Sequence, residues 1–177
     1  MSKISEHFDS TEFNCNCGNN KINPEFVKHI EKIYGYLDNT ETGCGAIIVT
    51  SGYRCPTCSV KVGGKSNDAH TKGFAADVIA YHKNKITPYQ AVEVAAIAEY
   101  LGFSGIGICN GGLSCHVDDR AIYGYVNSHW YGDERNGNDN IATFKQYLIP
   151  QKKNVSRETK HKIKIYLDNK LINETEL

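Results

Sequence analysis

Gly105-Ile106-Gly107-Ile108-Cys109-Asn110-Gly111-Gly112-Leu113-Ser114-Cys115-His116-Val117-Asp118 is two short apolar runs on either side of a turn. Asn110-Gly111-Gly112 tolerate the positive φ that a tight hairpin needs, so the runs read as two antiparallel strands. Upstream, Thr87-Pro88 opens a segment in which Ala91, Val92, Val94, Ala95, Ile97, Ala98 and Leu101 make a mostly apolar helix, closed by Gly102 where a left-handed cap is favoured. Earlier still, Gly45-Ala46-Ile47-Ile48-Val49-Thr50-Ser51 is a β-branched run stopped by Gly52 and reads as a buried strand; residues 75–80 are a second. Over residues 23–37, Phe26, Val27, Ile30, Ile33, Tyr34 and Leu37 recur at three- and four-residue steps behind Pro24, which predicts an amphipathic helix. A helix, then strands interleaved with a helix, predicts an α+β fold with an antiparallel sheet.

At 177 residues the chain suits one domain with a small appendage. Residues 1–126 are expected to form the domain. From residue 127 the texture turns polar and rich in Gly and Asn, which predicts a linker and a C-terminal extension over 127–177, with a short helix at 142–148 and the first arm of a hairpin at 162–167. Twenty Lys+Arg balance twenty Asp+Glu, so the chain lacks the basic excess of a protein that neutralises nucleic-acid phosphate or an anionic membrane, and no nucleic-acid partner is expected. No run of about 18 apolar residues is present to span a bilayer. Met1-Ser2-Lys3-Ile4-Ser5-Glu6-His7 lacks the apolar core of a signal peptide, so classical secretion is not expected.

Chemistry concentrates in Ser51-Gly52-Tyr53-Arg54, Val62-Gly63-Gly64, His70-Thr71-Lys72-Gly73-Phe74-Ala75-Ala76-Asp77 and His116-Val117-Asp118-Asp119-Arg120. Two imidazoles and one carboxylate are the donor set of a catalytic zinc: they leave the ion positive charge and an open fourth position, where a water is acidified towards neutral pH. A turn at Gly73 would fold a loop-borne His70 back beside Asp77, and His116 would arrive from a neighbouring strand. Residues two apart on a strand share a face, so Asp118 should point the same way as His116, either as general base or as a partner orienting a ligand imidazole. Asp119 points to the opposite face and is the weaker candidate base. Arg54 can hold a substrate carboxylate or an oxyanion bidentately. Singly, His70, Asp77 and His116 are each better explained as hydrogen-bonded structural residues and Arg54 as a solvated surface residue; it is the ordered set that points to metal.

That ordered set resembles the zinc D-Ala-D-Ala carboxypeptidase family of peptidoglycan metallopeptidases, whose clan includes lysostaphin-type peptidases and the hedgehog signalling domain. The family pattern is a Ser-Gly-Tyr-Arg turn, a Val-Gly-Gly, a His-x-x-Gly-x-Ala-x-Asp motif and a late His-x-Asp followed by Arg. It is met in order by Ser51 to Arg54, Val62 to Gly64, His70/Gly73/Ala75/Asp77 and His116/Asp118/Arg120, and the likeness extends back through Glu12-Phe13 to His7-Phe8. The resemblance implies a mixed antiparallel sheet with flanking helices and one catalytic zinc on His70, Asp77 and His116; Tyr53, Arg54 and Asp68 are the candidate substrate-binding residues. It implies hydrolysis of a peptide bond in peptidoglycan stem peptides, by a carboxypeptidase or an endopeptidase. Asp68 and Ser59 depart from the family's usual Ser and Asn. Related enzymes place their base just before the last His, where this chain has Leu113, Ser114 and Cys115, leaving Asp118 as the remaining candidate.

Seven Cys exclude complete internal pairing. Cys15-Asn16-Cys17 and Cys55-Pro56-Thr57-Cys58 are open to three readings: a second, four-thiolate structural zinc, disulfides, or free thiols. Cys109 and Cys115 would face each other across a tight hairpin, which allows a disulfide. Cys115-His116 is no thiol-protease pair, because adjacent strand residues point to opposite faces. His82 reads as an exposed loop residue, His129-Trp130-Tyr131 as a sugar-stacking patch or a loop anchor, and the Lys-rich residues 152–162 as a solvated face. The expected protein is thus a monomeric phage-type lysin, held in a host cytoplasm until release or carried on a virion, that acts at the bacterial cell wall. The competing expectation is a zinc-containing binding module on the same fold without turnover.

Overall fold

Asn23 opens the first helix by accepting the Glu25 N–H on its side-chain oxygen at 2.8 Å, and Pro24 fills the first turn, where no backbone donor is needed. The computed structural model describes residues 3–84 and 87–131. Along the chain come α1 (Pro24–Asp38), β1 (Cys44–Ser51), α2 (Pro56–Lys61), α3 (Ala69–Lys72), β2 (Ala75–His82), α4 (Ala91–Leu101), β3 (Gly105–Cys109), β4 (Ser114–Asp118) and β5 (Ser128–Tyr131), with 3-10 turns at Ser10–Phe13, Asn110–Gly112 and Arg120–Tyr123.

The strands form one sheet in the order β1-β2-β4-β3-β5, antiparallel except for β5, which runs parallel to β3 at the edge. The fold is α+β. α1 and α4 cover one face. Phe26, Val27, Ile30, Ile33 and Leu37 of α1 and Val94, Ala95, Ile97 and Ala98 of α4 are buried against Ala76, Val78 and Ala80 of β2, Ile106 and Ile108 of β3, and Cys115 and Val117 of β4. Alternation along the strands sends the intervening residues, Ala75, Asp77, His116 and Asp118, to the other face. Phe26 meets Phe103 edge-on at 6.3 Å and so ties α1 to the entry of β3.

Sequence patterning finds α1, β1, β2 and the β3–β4 hairpin nearly where they are. α4 starts later than Thr87-Pro88 suggests: Gln90 caps it, its N–H held by the Glu93 carboxylate at 2.8 Å, while Pro88 bridges Tyr81. The loop expected over residues 127–130 is instead the start of β5, so the sheet continues past residue 126. An edge strand parallel to β3 needs no apolar alternation of its own, which is why composition hides it. The expected helix at 142–148, hairpin arm at 162–167 and solvated face at 152–162 lie outside the described residues. His82 ends β2, with Nδ1 3.0 Å from the Thr42 hydroxyl and its ring against Tyr89, and is no loop residue.

His70 sits on the single turn of α3, where a loop is expected; four residues are too few for a periodic signal. Gly73 is the turn that the sequence indicates, with φ +78° as the left-handed cap of α3. Its carbonyl accepts the Asn23 N–H at 2.9 Å, and a Cβ there would lie 2.0 Å from the Lys21 carbonyl oxygen. Gly73→Ala is therefore expected to lower unfolding stability by about 2–4 kcal/mol from left-handed strain plus overpacking. Chemical denaturation measures it, and a loss under about 0.5 kcal/mol, the range of an ordinary surface change, would contradict this account.

Candidate metal centre

The antiparallel pairing of β2 with β4 sets Asp77 opposite His116 and Ala75 opposite Asp118. α3 brings His70 over the same face. His70 Nδ1 lies 2.7 Å from the Gly52 carbonyl oxygen, which can only accept, so Nδ1 carries the proton and Nε2 keeps its lone pair. His116 Nε2 lies 2.9 Å from the Asp118 carboxylate and is the donor for the same reason, leaving Nδ1 as the second lone pair. His116 Nδ1 then faces Asp77 Oδ1 at 2.8 Å and His70 Nε2 at 3.3 Å, and the latter is 3.6 Å from Asp77 Oδ1. One ligand atom from each of the three residues lies within 4.8 Å of the other two. Two imidazole lone pairs and a carboxylate turned onto one another repel unless a cation lies between them. The donor set therefore fits a zinc ion, held by His70, Asp77 and His116.

Without metal, a proton takes the cation's place. Burial disfavours an imidazolium at His116, but hydrogen bonds to Asp118 and Asp77 and their charges outweigh it and push its pKa up to about 9. Burial likewise opposes ionisation of Asp77, yet the His70 and His116 rings hold its carboxyl far below the usual carboxylate range.

Asp118, the first candidate for general base, is placed on the opposite ring nitrogen of His116 from the donor cluster. It is wholly buried, and Arg120 closes on it: Nε lies 3.0 Å from both carboxylate oxygens, Nη2 2.7 Å from one, and the backbone N–H 2.8 Å from the other. Burial would raise its pKa; His116 and Arg120 hold it well below the ordinary value. Gly105, opposite Asp118 in the register, makes room, since a Cβ there would lie 2.2 Å from both carboxylate oxygens. Asp119 turns the other way and pairs with His29 Nδ1 at 3.0 Å.

A cleft of about 1110 Å³ opens above the three donors, lined by Glu12, Tyr53, Arg54, Asp68 and Tyr125 among others. It exceeds the ~300–1,000 Å³ of a small-molecule pocket. The Arg54 N–H bonds the His70 carbonyl at 3.3 Å, and its Nε is buried with no hydrogen-bond partner among the described residues. Tyr53 is buried, its N–H on the Phe13 carbonyl at 2.9 Å. Asp68 caps α3 through the Thr71 N–H at 2.9 Å and accepts from the Lys65 N–H and the Ser59 hydroxyl. The two departures from the family pattern, Ser59 and Asp68, thus bond each other. Arg120, Gly52 and Gly105 act on the site in ways the residue pattern does not announce, since their parts are a charge clamp, a carbonyl and a space. In the β3–β4 register Cys109 faces Ser114 and Cys115 faces Ile108, so these two Cys are not directly opposed.

An imidazole pair and a carboxylate at the floor of an open cleft, on the uncovered face of an antiparallel sheet, define the class as a metal-dependent hydrolase. The chain belongs to the Peptidase M15 family, whose pattern matches residues 6–118, and it is accordingly a zinc metallopeptidase. No curated protein matches it.

The raised His116 pKa fixes the pH behaviour of the metal-free chain. Its contribution is fully present below the unfolded value of 6.5 and is lost as pH rises through about 9, while that of Asp77 is present above 3.8 and is lost on acidification. Thermal melts in chelator should therefore fall between about pH 6.5 and 9. Zinc, replacing the proton, should flatten that alkaline slope, and identical slopes with and without zinc would contradict the assignment.

Proposed function

We propose that this metallopeptidase hydrolyses peptide bonds in the stem peptides of bacterial peptidoglycan, as a lysin-type enzyme of the cell wall. The supporting observation is the convergence of one ligand atom each from His70, Asp77 and His116 beneath a cleft that Arg54 lines. Zinc held by His70, Asp77 and His116 would supply Lewis acidity and a water made acidic enough to attack near neutral pH. Arg54, which lines the cleft, can meet the substrate's terminal carboxylate or the oxyanion with its guanidinium. The His70 ring is held by Gly52, and the His116 ring by Asp118 backed by Arg120. On this reading Asp118 is a positioning residue. The cleft's size and openness suit an extended peptide, and the likeness to D-Ala-D-Ala carboxypeptidases supports the choice of wall peptides.

One observation favours the competing reading of a zinc-holding module without turnover. Among the described carboxylates lining the cleft, Glu12 accepts the Asp9 N–H, Asp68 caps α3 and Asp118 is clamped behind His116, so none stands uncommitted beside the donors. Digestion of purified peptidoglycan with and without chelator, with products read by mass spectrometry, separates the two. The enzyme should give chelator-sensitive release of D-Ala or of stem-peptide fragments, lost in His70→Ala, whereas no cleavage by the zinc-loaded chain would leave the binding module.

Asp118→Asn tests the positioning role. It should weaken zinc binding by about 10- to 100-fold, as losing an orienting partner does, in competition against a chromogenic chelator. Unchanged zinc affinity with abolished turnover would instead make Asp118 the base.

A further inference from the structure

Among the described residues, a second cluster of metal-ligating side chains lies outside the donor set of the proposed reaction. Cys15 and Cys17 come from the loop after the first 3-10 turn; Cys55 and Cys58 come from the N-terminus of α2, some forty residues later. Their four sulfurs lie within 4.8 Å of one another, and Cys17 and Cys55 are 3.6 Å apart at Sγ. Zinc–sulfur bonds of about 2.3 Å put tetrahedral sulfurs about 3.8 Å from each other, so the spacing is that of a four-thiolate site. None of the four is in a disulfide.

The surrounding donors point the same way. The Cys55 N–H lies 3.4 Å from Cys15 Sγ, the Cys58 N–H 3.4 Å from Cys55 Sγ, and Asn19 Nδ2 3.2 Å from Cys17 Sγ. N–H groups aimed at sulfur offset the negative charge that four thiolates leave around a divalent ion. Cys55-Pro56-Thr57-Cys58 gives the usual two-residue ligand gap, and Cys58, in the first turn of α2, has no intrahelical acceptor for its N–H, which turns back on Cys55.

We infer that Cys15, Cys17, Cys55 and Cys58 form a second zinc site, closed and structural, that clips the N-terminal segment to the turn carrying Arg54. Four protein ligands leave no position for water, so this ion takes no part in hydrolysis. It braces the cleft: Cys55 follows Arg54 directly, Cys15 and Cys58 line the same wall, and the Arg54 N–H is bonded to the backbone of His70.

The test is metal content together with cobalt spectroscopy on the full chain. Elemental analysis should find two zinc per wild-type chain and one in Cys15→Ser/Cys58→Ser. His116→Ala should keep the thiolate site. Cobalt-loaded wild type and His116→Ala should both show thiolate-to-cobalt charge-transfer absorption, which His and Asp ligands cannot give. One zinc per wild-type chain that is lost in His116→Ala, or a cobalt spectrum without that absorption, would overturn the assignment. So would four thiols of the freshly purified, zinc-replete protein reading as disulfides in alkylation mass spectrometry. The wild-type and His116→Ala spectra decide the matter even if the double Ser variant does not fold.

Discussion

The β2–β4 register is the constraint on which the rest depends. Asp77 faces His116 only because Ala76 pairs with Val117 and Val78 with Cys115, and these four side chains lie in the core beneath α1 and α4. A one-residue slip of β4 would turn His116 and Asp118 into that apolar core, expose Val117 to the cleft and leave Asp77 without its partner. The helices therefore specify the metal donors indirectly. By burying one face of two strands they decide which residues occupy the other, and the apolar area they cover is large against the cost of holding three polar groups above it.

Those polar groups form a charge ladder. Asp77, His116, Asp118 and Arg120 alternate in sign when His116 is protonated, and the far end is sealed, with Asp118 wholly buried. A buried carboxylate costs several kcal/mol unless compensated, and Arg120 supplies three of its contacts. The arrangement is therefore intolerant of losing one partner and insensitive to solvent. Its useful product is a His116 ring with one tautomer and one orientation. With a divalent ion in place of the proton, two carboxylates and one guanidinium leave the centre net positive, as an anionic transition state requires.

The sequence carries the donors openly and their supports poorly. His70, Asp77 and His116 were readable because their residue types and order are chemically unusual, and α1, β1, β2 and the β3–β4 hairpin because their burial is periodic. α3 was not, since a single turn has no period, and its cap Asp68 looks from sequence like a substrate group when its hydrogen bonds are local. β5 hid in a polar stretch. Asp118 shows the limit most clearly: strand alternation correctly put it on the face of His116, but which imidazole nitrogen it meets depends on Gly105 and Arg120, and no spacing rule reports a side chain's far-end contacts.

The Ser51-Gly52-Tyr53-Arg54 turn shows why such a motif extends over four residues when its charged side chain is the one suited to meet an anion in the cleft. The Gly52 carbonyl fixes the tautomer of His70, the Tyr53 N–H holds the N-terminal segment at Phe13, and the Arg54 N–H returns to the His70 carbonyl. Three backbone bonds thus lock one turn to α3 and to the N-terminal segment. A residue anchored by its own main chain loses little further entropy when its side chain binds, so Arg54, which lines the cleft, is preorganised there. The same anchoring joins the turn to the candidate metal centre: the Arg54 N–H and the Gly52 carbonyl each bond His70, so strain on the turn reaches it through two hydrogen bonds.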